Sequence, residues 1–428
     1  MIIDEPVREL HNCVACGSNK LKSVLDLGKQ PLANSYKLNK EDFQEEYPLA
    51  INRCEECYHV QLTHAVHPEL LFGDYLYVSG TTQTGREHFK EFARFACEYI
   101  DKQFSRDDIS APNRPRKRRL PSEKKILDVG CNDGTQLDYF KEKGHITTGI
   151  DPARNLYPIS SANHEVFLDY FQQAFANQMK SENRTFDVIT AQNVFAHTAD
   201  PLEFLLTAKE VMHDDSLLFI QTSQANMIVN NEFDTIYHEH ISFFNTQSMD
   251  KLCQRAGLYL SGVRLMPIHG TSYVFIITKK EQPRYIDYKI EEERSSGLYN
   301  DETYVKYAEN CNKVVKDLVD AVSQYTRNEV GWLSVGYGAP AKGMTLLNYS
   351  GLKLDFIIDD NPLKQGRFTP GSSIPIYPAS KLDEYPDAII FVPLAWNFYD
   401  EIKSKIIAKR NNQYDKFCLY FPNVRVES

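Results

Sequence analysis

The sequence predicts an α/β protein in three parts: a small metal-binding N-terminal domain, followed by two domains in which strands and helices alternate. Three observations predict this fold class. Two Cys-x-x-Cys pairs lie near the N-terminus, and a pattern of apolar strand, glycine turn and helix occurs twice, first from Ile126 and again from Trp332. The length of 428 residues fits about three domains. We expect these domains to comprise residues 1–70, 71–282 and 283–428.

The composition disfavours several classes of protein. With 48 Lys and Arg against 58 Asp and Glu, the formal net charge is −10, whereas a surface that coats nucleic acid needs a dominant basic footprint. No apolar stretch approaches the roughly 18 residues of a membrane span, and the acidic start MIIDEPVREL does not resemble a signal peptide. We therefore expect a cytoplasmic protein that binds neither nucleic acid nor membrane. The sequence does not fix the oligomeric state, and a monomer is compatible with it.

The cysteines predict a structural zinc site. Four of the nine form the pairs Cys13-x-x-Cys16 and Cys54-x-x-Cys57, and two such turns can aim four thiolates at one tetrahedral centre, which suits Zn²⁺. The first domain is too small to bury a sufficient core, so a metal would supply the missing stability. A redox pair or buried thiols are the alternatives. The odd total disfavours a full disulfide framework, and the other cysteines suit reduced thiols.

The first strand–turn–helix pattern, KKILDVGCNDGTQLDYFKEKG, predicts a cofactor site of the Rossmann type. Its glycines let the backbone approach a ligand, and the next strand ends in Asp151, an acid suited to a ribose diol. A dinucleotide fingerprint needs a central glycine, but Asn132 stands there, and the acid Asp133 would repel a pyrophosphate. An acid is tolerated opposite the sulfonium and ammonium groups of S-adenosylmethionine (SAM), so these charges favour SAM over a nicotinamide dinucleotide. The candidate cofactor-binding residues are Asp128, Gly130, Asn132, Asp133, Gly134, Asp151, Gln192 and Asn193.

Strands and helices continue to alternate beyond this turn. The segments FDVITAQN, LLFIQTS and TSYVFIIT are typical of strands, and helical patterns lie between the first two and before the third. This alternation predicts a parallel, doubly wound sheet, in which ligands bind at the carboxyl ends of the strands. Gln192, Asn193 and His197 follow one such end.

The sequence YHEH places Tyr237, His238, Glu239 and His240 side by side. A metal site is disfavoured because the two histidines lack the i, i+4 spacing of a helical zinc site and no third ligand is evident. A histidine beside a carboxylate is a common general base. In an extended segment Tyr237 and Glu239 would share one face and the histidines the other, whereas a loop could bring all of them together. Satisfied polar residues at a domain junction are the alternative interpretation.

Two segments between these motifs have open interpretations. The stretch DYLYVSGTTQTGREH contains Tyr75, Tyr77 and Ser79, whose density suits a lid over a polyol, and a strand with an aromatic edge is the alternative. The basic run APNRPRKRRLPSEKK is favoured as a solvated connecting loop over a nucleic-acid or targeting patch, because the chain as a whole is negatively charged.

A second Rossmann-like unit is predicted near the C-terminus. The segment WLSVGYGAPAKGMTLLNY begins as a strand, turns at Gly336-x-Gly338 and continues as a helix, and LDFIIDDNP follows as a strand that ends in acids. Lys342 in the turn is a candidate phosphate partner, although Gly343 departs from the third-glycine spacing of a nucleotide fingerprint. A degenerate fold that serves for packing and for closing the cleft is the alternative.

Together these motifs resemble those of the sugar C-methyltransferases that act on nucleotide-activated keto-deoxysugars in bacterial antibiotic and polysaccharide pathways. The resemblance covers essentially the whole chain, through the two cysteine pairs and the segments LDVGCNDGT, GIDP, NVFAH, YHEH, GYGAPAKGMTLLNY and KQGRFTPG. It implies a zinc-binding N-terminal domain, a central class I SAM-dependent methyltransferase domain and a C-terminal Rossmann-like domain. It also implies methyl transfer to a ring carbon next to a ketone, commonly C3 of a 4-keto sugar, here expected to be linked to dTDP or GDP.

The resemblance further implies roles for particular residues. His240 matches the base that removes the carbon-bound proton, and Glu239 matches its orienting partner or a hydrogen-bonding group for the substrate. Tyr237 and His197 match groups that hold the sugar and the developing enolate. No catalytic metal is implied, so the zinc would be structural.

The tyrosine pair and one departure from the family pattern bear on the substrate. Tyr77 matches a further group that holds the sugar, and Tyr75 is its alternative because the Tyr-x-Tyr register is ambiguous. The family usually shows His-Gly-Gly-Ser followed shortly by arginine, whereas this chain has HGTSY from His269. If that arginine contacts the substrate in relatives, we expect a different substrate here. The candidate substrate-binding residues are Tyr75, Ser79, His269, Lys342 and Arg367.

Three other functions are the alternatives. A SAM-dependent O- or N-methyltransferase acting on a nucleotide sugar would use the same cofactor without an enolate. An RNA-binding module that uses the basic run is disfavoured by the acidic balance of the chain. Reduction by a nicotinamide cofactor in the C-terminal domain is disfavoured by its imperfect glycine pattern.

Overall fold

The computed structural model describes residues 5–73, 78–81, 83–107, 123–222, 226–266, 272–327 and 331–428. Its strands form sheets of two, four, seven and six strands. The two larger sheets contain the two strand–turn–helix patterns of the sequence, and the two smaller ones contain the strands around the cysteine pairs.

The N-terminal part is rich in β-structure, and its sheet is completed by a strand from further along the chain. Its elements are β1 (Val7–Glu9), β2 (Leu21–Pro31), β3 (Glu46–Cys54), β4 (Val60–Leu62), β5 (His64–Val66) and α1 (Pro68–Phe72). Strand β1 pairs with β5, and β2, β3 and β4 form an antiparallel sheet. The fourth strand of that sheet is β11 (Ser242–Phe243), which pairs with β4. Because β11 begins two residues after the YHEH segment, the N-terminal part fixes one end of that segment.

The central part is a seven-stranded sheet with accompanying helices. Its elements are α2 (Gln83–Asp107), β6 (Lys125–Val129), α3 (Thr135–Glu142), β7 (Ile146–Ile150), α4 (Tyr157–Ser160), β8 (Glu165–Phe167), α5 (Gln173–Ser181), β9 (Phe186–Gln192), α6 (Pro201–Val211), β10 (Met212–Thr222), α7 (Met227–Asn230), α8 (Thr246–Ala256), β12 (Tyr259–Met266) and β13 (Ser272–Thr278). The strand order is β12-β13-β10-β9-β6-β7-β8. Strands β9, β6 and β7 are parallel neighbours, so their carboxyl ends meet at one edge of the sheet.

One edge of this sheet is antiparallel, so the prediction of a parallel sheet is wrong at that edge. Strand β13 runs antiparallel to both β10 and β12, whereas the pairs from β10 to β8 are parallel. Residues 267–271 alone separate β12 from β13 in the sequence, and a crossover between parallel neighbours needs about a dozen residues or more. The chain therefore reverses direction between these strands, and the sheet is mixed.

The C-terminal part is a second α/β unit. Its elements are α9 (Asp287–Ser295), α10 (Asp301–Thr326), β14 (Leu333–Tyr337), α11 (Ala341–Ser350), β15 (Phe356–Ile358), β16 (Ile376–Tyr377), β17 (Ile389–Pro393), α12 (Tyr399–Arg410), β18 (Lys416–Leu419) and β19 (Arg425–Glu427). The strand order is β16-β15-β14-β17-β18-β19, with all pairs parallel except the last. This confirms a Rossmann-like strand–turn–helix arrangement around the GYGAPAKG turn.

A continuous hydrophobic core joins the three parts. One cluster of buried side chains contains Ile51 of the N-terminal sheet, Ile236 next to the YHEH segment, Tyr307 of α10 and Leu346 of α11. Burial of such side chains contributes about 1.5–3 kcal/mol each relative to exposure. The three parts are therefore packed against one another, and groups from all of them can line one site.

A helix that spans a bilayer needs about 20 consecutive apolar residues. Within the described residues, no helix is both long enough and apolar enough to cross a membrane.

Candidate functional site

The four paired cysteines form the zinc site. All their Sγ atoms lie within 4.8 Å of one another, and the Cys13–Cys57 and Cys16–Cys54 sulfur pairs are 3.6 and 3.5 Å apart. Four sulfurs bound at about 2.3 Å to a tetrahedral zinc ion would lie about 3.8 Å apart, so the cluster has the dimensions of a closed site. Hydrogen bonds with Cys13 and Cys57 lower the pKa of Cys54, which favours its thiolate.

The surroundings of this cluster agree with a structural role. Backbone N–H groups of Cys16 and Glu56 donate to the sulfurs of Cys13 and Cys54, each at 3.4 Å. The nearby His59 is fully buried and bonds Ser242, as expected of a packing residue rather than a ligand. None of the four cysteines is among the described residues that line the large cavity.

A cavity of about 710 Å³ lies where the three parts meet. The N-terminal part contributes Asn34 and Phe72, the central part contributes Asp151 and His240, and the C-terminal part contributes Lys342. A cavity of this size at a junction of domains is the usual place for a small-molecule site.

One end of the cavity is formed by the carboxyl ends of the parallel strands β6, β7 and β9. The predicted cofactor residues that line it are Gly130, Asn132, Asp151, Gln192 and Asn193. Gly130 has a φ of +70°, and a Cβ atom there would lie 2.2 Å from Cγ2 of Val194. A side chain at this position would clash with Val194, so the turn requires glycine here.

Asp151 is held rigidly at the end of β7. Its Oδ2 accepts a hydrogen bond from the Asn132 N–H and its Oδ1 accepts one from the Ala153 N–H, both at 2.8 Å. Burial raises the pKa of Asp151, and these two hydrogen bonds oppose that shift. A positioned acid next to a glycine turn that lines the cavity fits the ribose and methionine portions of SAM.

Three of the predicted cofactor residues do not line this cavity in the described part of the chain. Asp128 points into the interior, where its Oδ1 accepts from Thr190 at 2.7 Å, and burial raises its pKa to about 7. Asp133 accepts from the Gly80 N–H at 2.8 Å, and Gly134 forms the N-cap of α3. These residues shape the turn, and the structure does not bring them to the cavity.

The YHEH segment is a loop in which Tyr237 and His240 meet. The Tyr237 hydroxyl and Nε2 of His240 are 2.7 Å apart, and the rings lie 4.0 Å apart between centroids. Of the two conformations that the sequence allows, the segment adopts the loop, because an extended segment would place the two side chains on opposite faces. The physical reason is a turn, closed by a hydrogen bond of 2.8 Å from the His240 N–H to the Tyr237 carbonyl.

The second nitrogen of His240 identifies its tautomer. Nδ1 lies 3.0 Å from the Thr235 carbonyl oxygen, and a carbonyl can only accept, so Nδ1 carries the proton of the neutral ring. Nε2 then has a lone pair and accepts the hydrogen bond of the Tyr237 hydroxyl. Both rings line the cavity.

His197 lies against His240 and stays neutral. Its ring is stacked on His240 at 5.4 Å and on Phe72 at 5.3 Å between centroids. Burial lowers the pKa of His197 to about 4. It can therefore pack against a substrate or donate a hydrogen bond near pH 7 without carrying charge.

Glu239 lies in the same cavity and is bound by a residue that the sequence did not indicate. Its Oε1 accepts from Nδ2 of Asn34 at 2.6 Å. His238, by contrast, is buried away from the cavity and bonds the Tyr47 carbonyl at 3.2 Å, and burial lowers its pKa to about 4. No motif marks Asn34, which lies between β2 and β3, so only the packing of the N-terminal part reveals it.

The C-terminal wall of the cavity is basic. Lys342 and Lys364 line it, whereas Arg367 is not among the lining residues that the structure describes. Lys364 donates to the Ala339 carbonyl at 2.7 Å. Burial lowers the pKa of Lys364, but Tyr36 and Asp359 outweigh it, so the net shift is upward. Lys364 belongs to the KQGRFTPG segment, and its place in the cavity could not be read from that segment.

Lys342 sits over the ring of Trp396, 4.4 Å from the centroid. Burial lowers the pKa of Lys342, and the acids Asp234 and Glu232 oppose that shift.

Ser79 lines the cofactor side of the cavity, and its N–H donates to Oδ1 of Asn132 at 2.9 Å. Tyr75, Tyr77, His269 and most of the basic run lie outside the described residues.

Comparison with known proteins gives matches along most of the chain. Residues 13–72 match the family described as "Putative zinc binding domain", residues 94–261 match "Methyltransferase domain", and residues 267–422 match "C-methyltransferase C-terminal domain". C-methyltransferase NovU of Streptomyces niveus is 29% identical over 412 residues, which are 92% of this chain and 92% of that protein.

Shorter and more distant similarities were also found. Ubiquinone biosynthesis O-methyltransferase of Actinobacillus pleuropneumoniae serotype 5b is 31% identical over 106 residues, which are 23% of this chain and 45% of that protein. Magnesium protoporphyrin IX methyltransferase from Synechocystis PCC 6803, solved with bound SAH, is similar over 47% of this chain and 89% of its own, with 8% sequence identity and a TM-score of 0.33.

Proposed function

We propose a substrate and a mechanism for this chain, which is a SAM-dependent C-methyltransferase with a class I α/β domain and an N-terminal zinc site. The proposed substrate is a nucleotide-activated 4-keto-deoxysugar, and the proposed acceptor is the ring carbon next to the ketone, with C3 expected. The observation that carries the proposal is the Tyr237–His240 hydrogen bond inside a cavity that also contains the Asp151 turn.

His240 is proposed as the base. Because the Thr235 carbonyl holds the proton on Nδ1, Nε2 has its lone pair directed at Tyr237 and the cavity. Nε2 takes the proton from the carbon next to the ketone, and the electron pair of the broken C–H bond moves into the enolate. The imidazolium that results keeps its hydrogen bond to the Thr235 carbonyl. General-base catalysis of this kind contributes about 10²–10⁴-fold to a rate.

Tyr237 is proposed to stabilise the enolate. Its hydroxyl is a neutral donor that can leave Nε2 and bond the oxygen on which negative charge develops. When bound, SAM would supply an electrophilic methyl group: the enolate carbon forms the new carbon–carbon bond as the S–CH3 bond breaks, and S-adenosylhomocysteine is the leaving group. His197, which is neutral and stacked on His240, holds the ring of the base in place.

Glu239 is proposed to bind the substrate rather than to orient the base. The partner of His240 Nδ1 is the Thr235 carbonyl, so the orienting position is already filled. Glu239 accepts a hydrogen bond from Asn34 and lines the cavity, and a carboxylate can accept several hydrogen bonds at once. We assign it to a hydroxyl or amino group of the sugar.

The basic C-terminal wall is proposed to bind the nucleotide diphosphate. The chain has a net charge of −10, so an anionic substrate must be attracted by local cations rather than by the overall field. Lys342 and Lys364 are the lysines that line the cavity among the described residues. The proposed phosphate-binding residues are therefore Lys342 and Lys364, and Lys364 takes the role that the sequence suggested for Arg367.

The proposed reaction is tested with SAM that carries a ¹³C-labelled methyl group. The full-length protein is incubated with dTDP- and GDP-linked 4-keto-deoxysugars, and the product is examined by NMR. We expect a methyl signal with a carbon–carbon coupling to the ring carbon next to the ketone. A methyl group on oxygen or nitrogen, or no transfer to any keto sugar of the panel, would contradict the proposal.

A first prediction concerns the cofactor site. Asp151→Asn removes the charge and one of the two acceptor oxygens, and we expect the Kd for SAM to rise about tenfold, because hydrogen bonds to a charged group contribute about 1.5–3 kcal/mol. Isothermal titration calorimetry measures the change. Asp214→Asn, at an exposed position of β10, is the matched control and should bind SAM as the parent does. Equal affinity of both variants would remove Asp151 from the site.

A further inference from the structure

We infer that Asp234 is a positioning residue through which the C-terminal domain fixes the tautomer of His240. The inference rests on the proposed role of His240 as the base. It gives the C-terminal domain a part in the chemistry that does not depend on which nucleotide the cavity binds.

Asp234 is anchored in the C-terminal domain. It is fully buried, and its Oδ2 accepts from the indole N–H of Trp396 at 2.8 Å. The Tyr420 hydroxyl lies 3.2 Å from the same oxygen and 3.1 Å from the Leu394 carbonyl, so it divides one proton between two acceptors. Trp396 is therefore the principal donor to Asp234.

The chain is held again on the other side of Thr235. The Thr345 hydroxyl of α11 donates to the Ile236 carbonyl at 2.9 Å, and Ile236 is buried in the core shared with that helix. Thr235 thus lies between Asp234, whose carboxylate accepts from Trp396, and Ile236, whose carbonyl accepts from Thr345. The position of its carbonyl is set from both sides.

That carbonyl determines which nitrogen of His240 can act as a base. A neutral imidazole has one N–H, and the hydrogen bond of one nitrogen decides which form is present. While the Thr235 carbonyl accepts from Nδ1, Nε2 keeps its lone pair toward the cavity. If the carbonyl moves away, the form with the proton on Nε2 becomes populated, and that form has no lone pair on Nε2, the nitrogen directed at the cavity, to take the proton of the substrate.

Burial and the neighbouring cation act in opposite directions on the charge of Asp234. Oδ1 of Asp234 has no hydrogen-bond partner among the described residues, but Lys342, which lies over the Trp396 ring, provides positive charge nearby. Burial raises the pKa of Asp234, and Lys342 and Trp396 act against that shift. Glu232 is the neighbouring acid of the same loop, and burial, followed by the charge of Asp234, raises its pKa to about 7.

The inference is tested by reading the tautomer directly. Full-length protein with ¹⁵N-labelled histidine is compared with Asp234→Ala, Asp234→Asn and Trp396→Phe, and the His240 signals are assigned from their loss in His240→Asn. We expect the parent to hold the proton on Nδ1. Asp234→Ala and Trp396→Phe should show a mixture of tautomers, and Asp234→Asn, which keeps an acceptor oxygen for Trp396, should resemble the parent.

Activity gives a second readout. For Asp234→Ala we expect kcat to fall about 10- to 100-fold through misplacement of the base, with the Kd for SAM unchanged within twofold. Tyr349→Phe is the control, because Tyr349 lies on α11, the helix that contributes Thr345, but its hydroxyl bonds the exposed Asn312. Folded Asp234→Ala and Trp396→Phe proteins that keep the proton on Nδ1 would overturn the inference. A tautomer change without methylation of keto sugars would instead overturn only the proposed function.

Discussion

His240→Asn is expected to abolish methyl transfer, with a fall in kcat of at least about 10²-fold. Asparagine can still donate a hydrogen bond to the Thr235 carbonyl, because its amide nitrogen occupies roughly the place of Nδ1. It has no equivalent of Nε2, which is the atom that bonds Tyr237 and faces the cavity. The substitution therefore removes the base while it retains the local hydrogen bond. Steady-state kinetics with the keto sugar measures the effect.

Two controls separate chemistry from structure in this variant. The Kd for SAM and the melting temperature should match those of the parent, because Asp151 and the cysteine cluster are untouched. His213→Asn changes a half-exposed histidine that pairs with Asp187, and it should retain full activity. A His240→Asn protein that methylates the sugar at a rate within a few fold of the parent would remove His240 from the base role.

Removal of zinc is expected to have the second large effect, the loss of the folded N-terminal part. Cys54→Ser replaces a fully buried ligand, and in small zinc domains the metal contributes about 10 kcal/mol or more to folding. Because Asn34 and Phe72 form one wall of the cavity, activity should disappear together with the fold. Zinc content by elemental analysis, thermal unfolding and methyl transfer are measured on the same sample.

The matching control is Cys97→Ser, which removes a half-buried thiol outside the cluster. It should retain bound zinc and activity. Since none of the four cysteines lines the cavity in the described residues, protein reconstituted with cobalt in place of zinc should also be active. A Cys54→Ser protein that binds a full equivalent of zinc and unfolds at the parent temperature would contradict the structural role of this cluster.

The parts of the site that follow local rules could be predicted from the sequence. Cysteine spacing determines which thiols can converge, and the order of strand, glycine turn and acid determines where a ligand meets the backbone. The Gly130 turn and Asp151 therefore lie at the cavity as expected. The conformation of YHEH could not be derived in this way, because a four-residue segment is compatible with either an extended strand or a turn.

Contacts that depend on the packing of the three parts could not be predicted. Asn34 reaches Glu239 across 205 positions of the sequence, and Trp396 reaches Asp234 across 162. No periodicity or motif connects residues at such distances. Lys364 and Arg367 are both cationic and lie three positions apart in the sequence, and only the fold of their loop decides that Lys364 lines the cavity.

The central claim is that His240 removes a proton from the carbon next to the ketone. It is tested most directly by incubating the enzyme with SAH and the keto sugar in D₂O, where no methyl group can be transferred. We predict that NMR shows deuterium entering at that ring carbon with the parent protein and not with His240→Asn. Exchange at an equal rate in both proteins would contradict the account. So would the absence of exchange with SAH in a parent protein that methylates the same sugar once SAM is supplied.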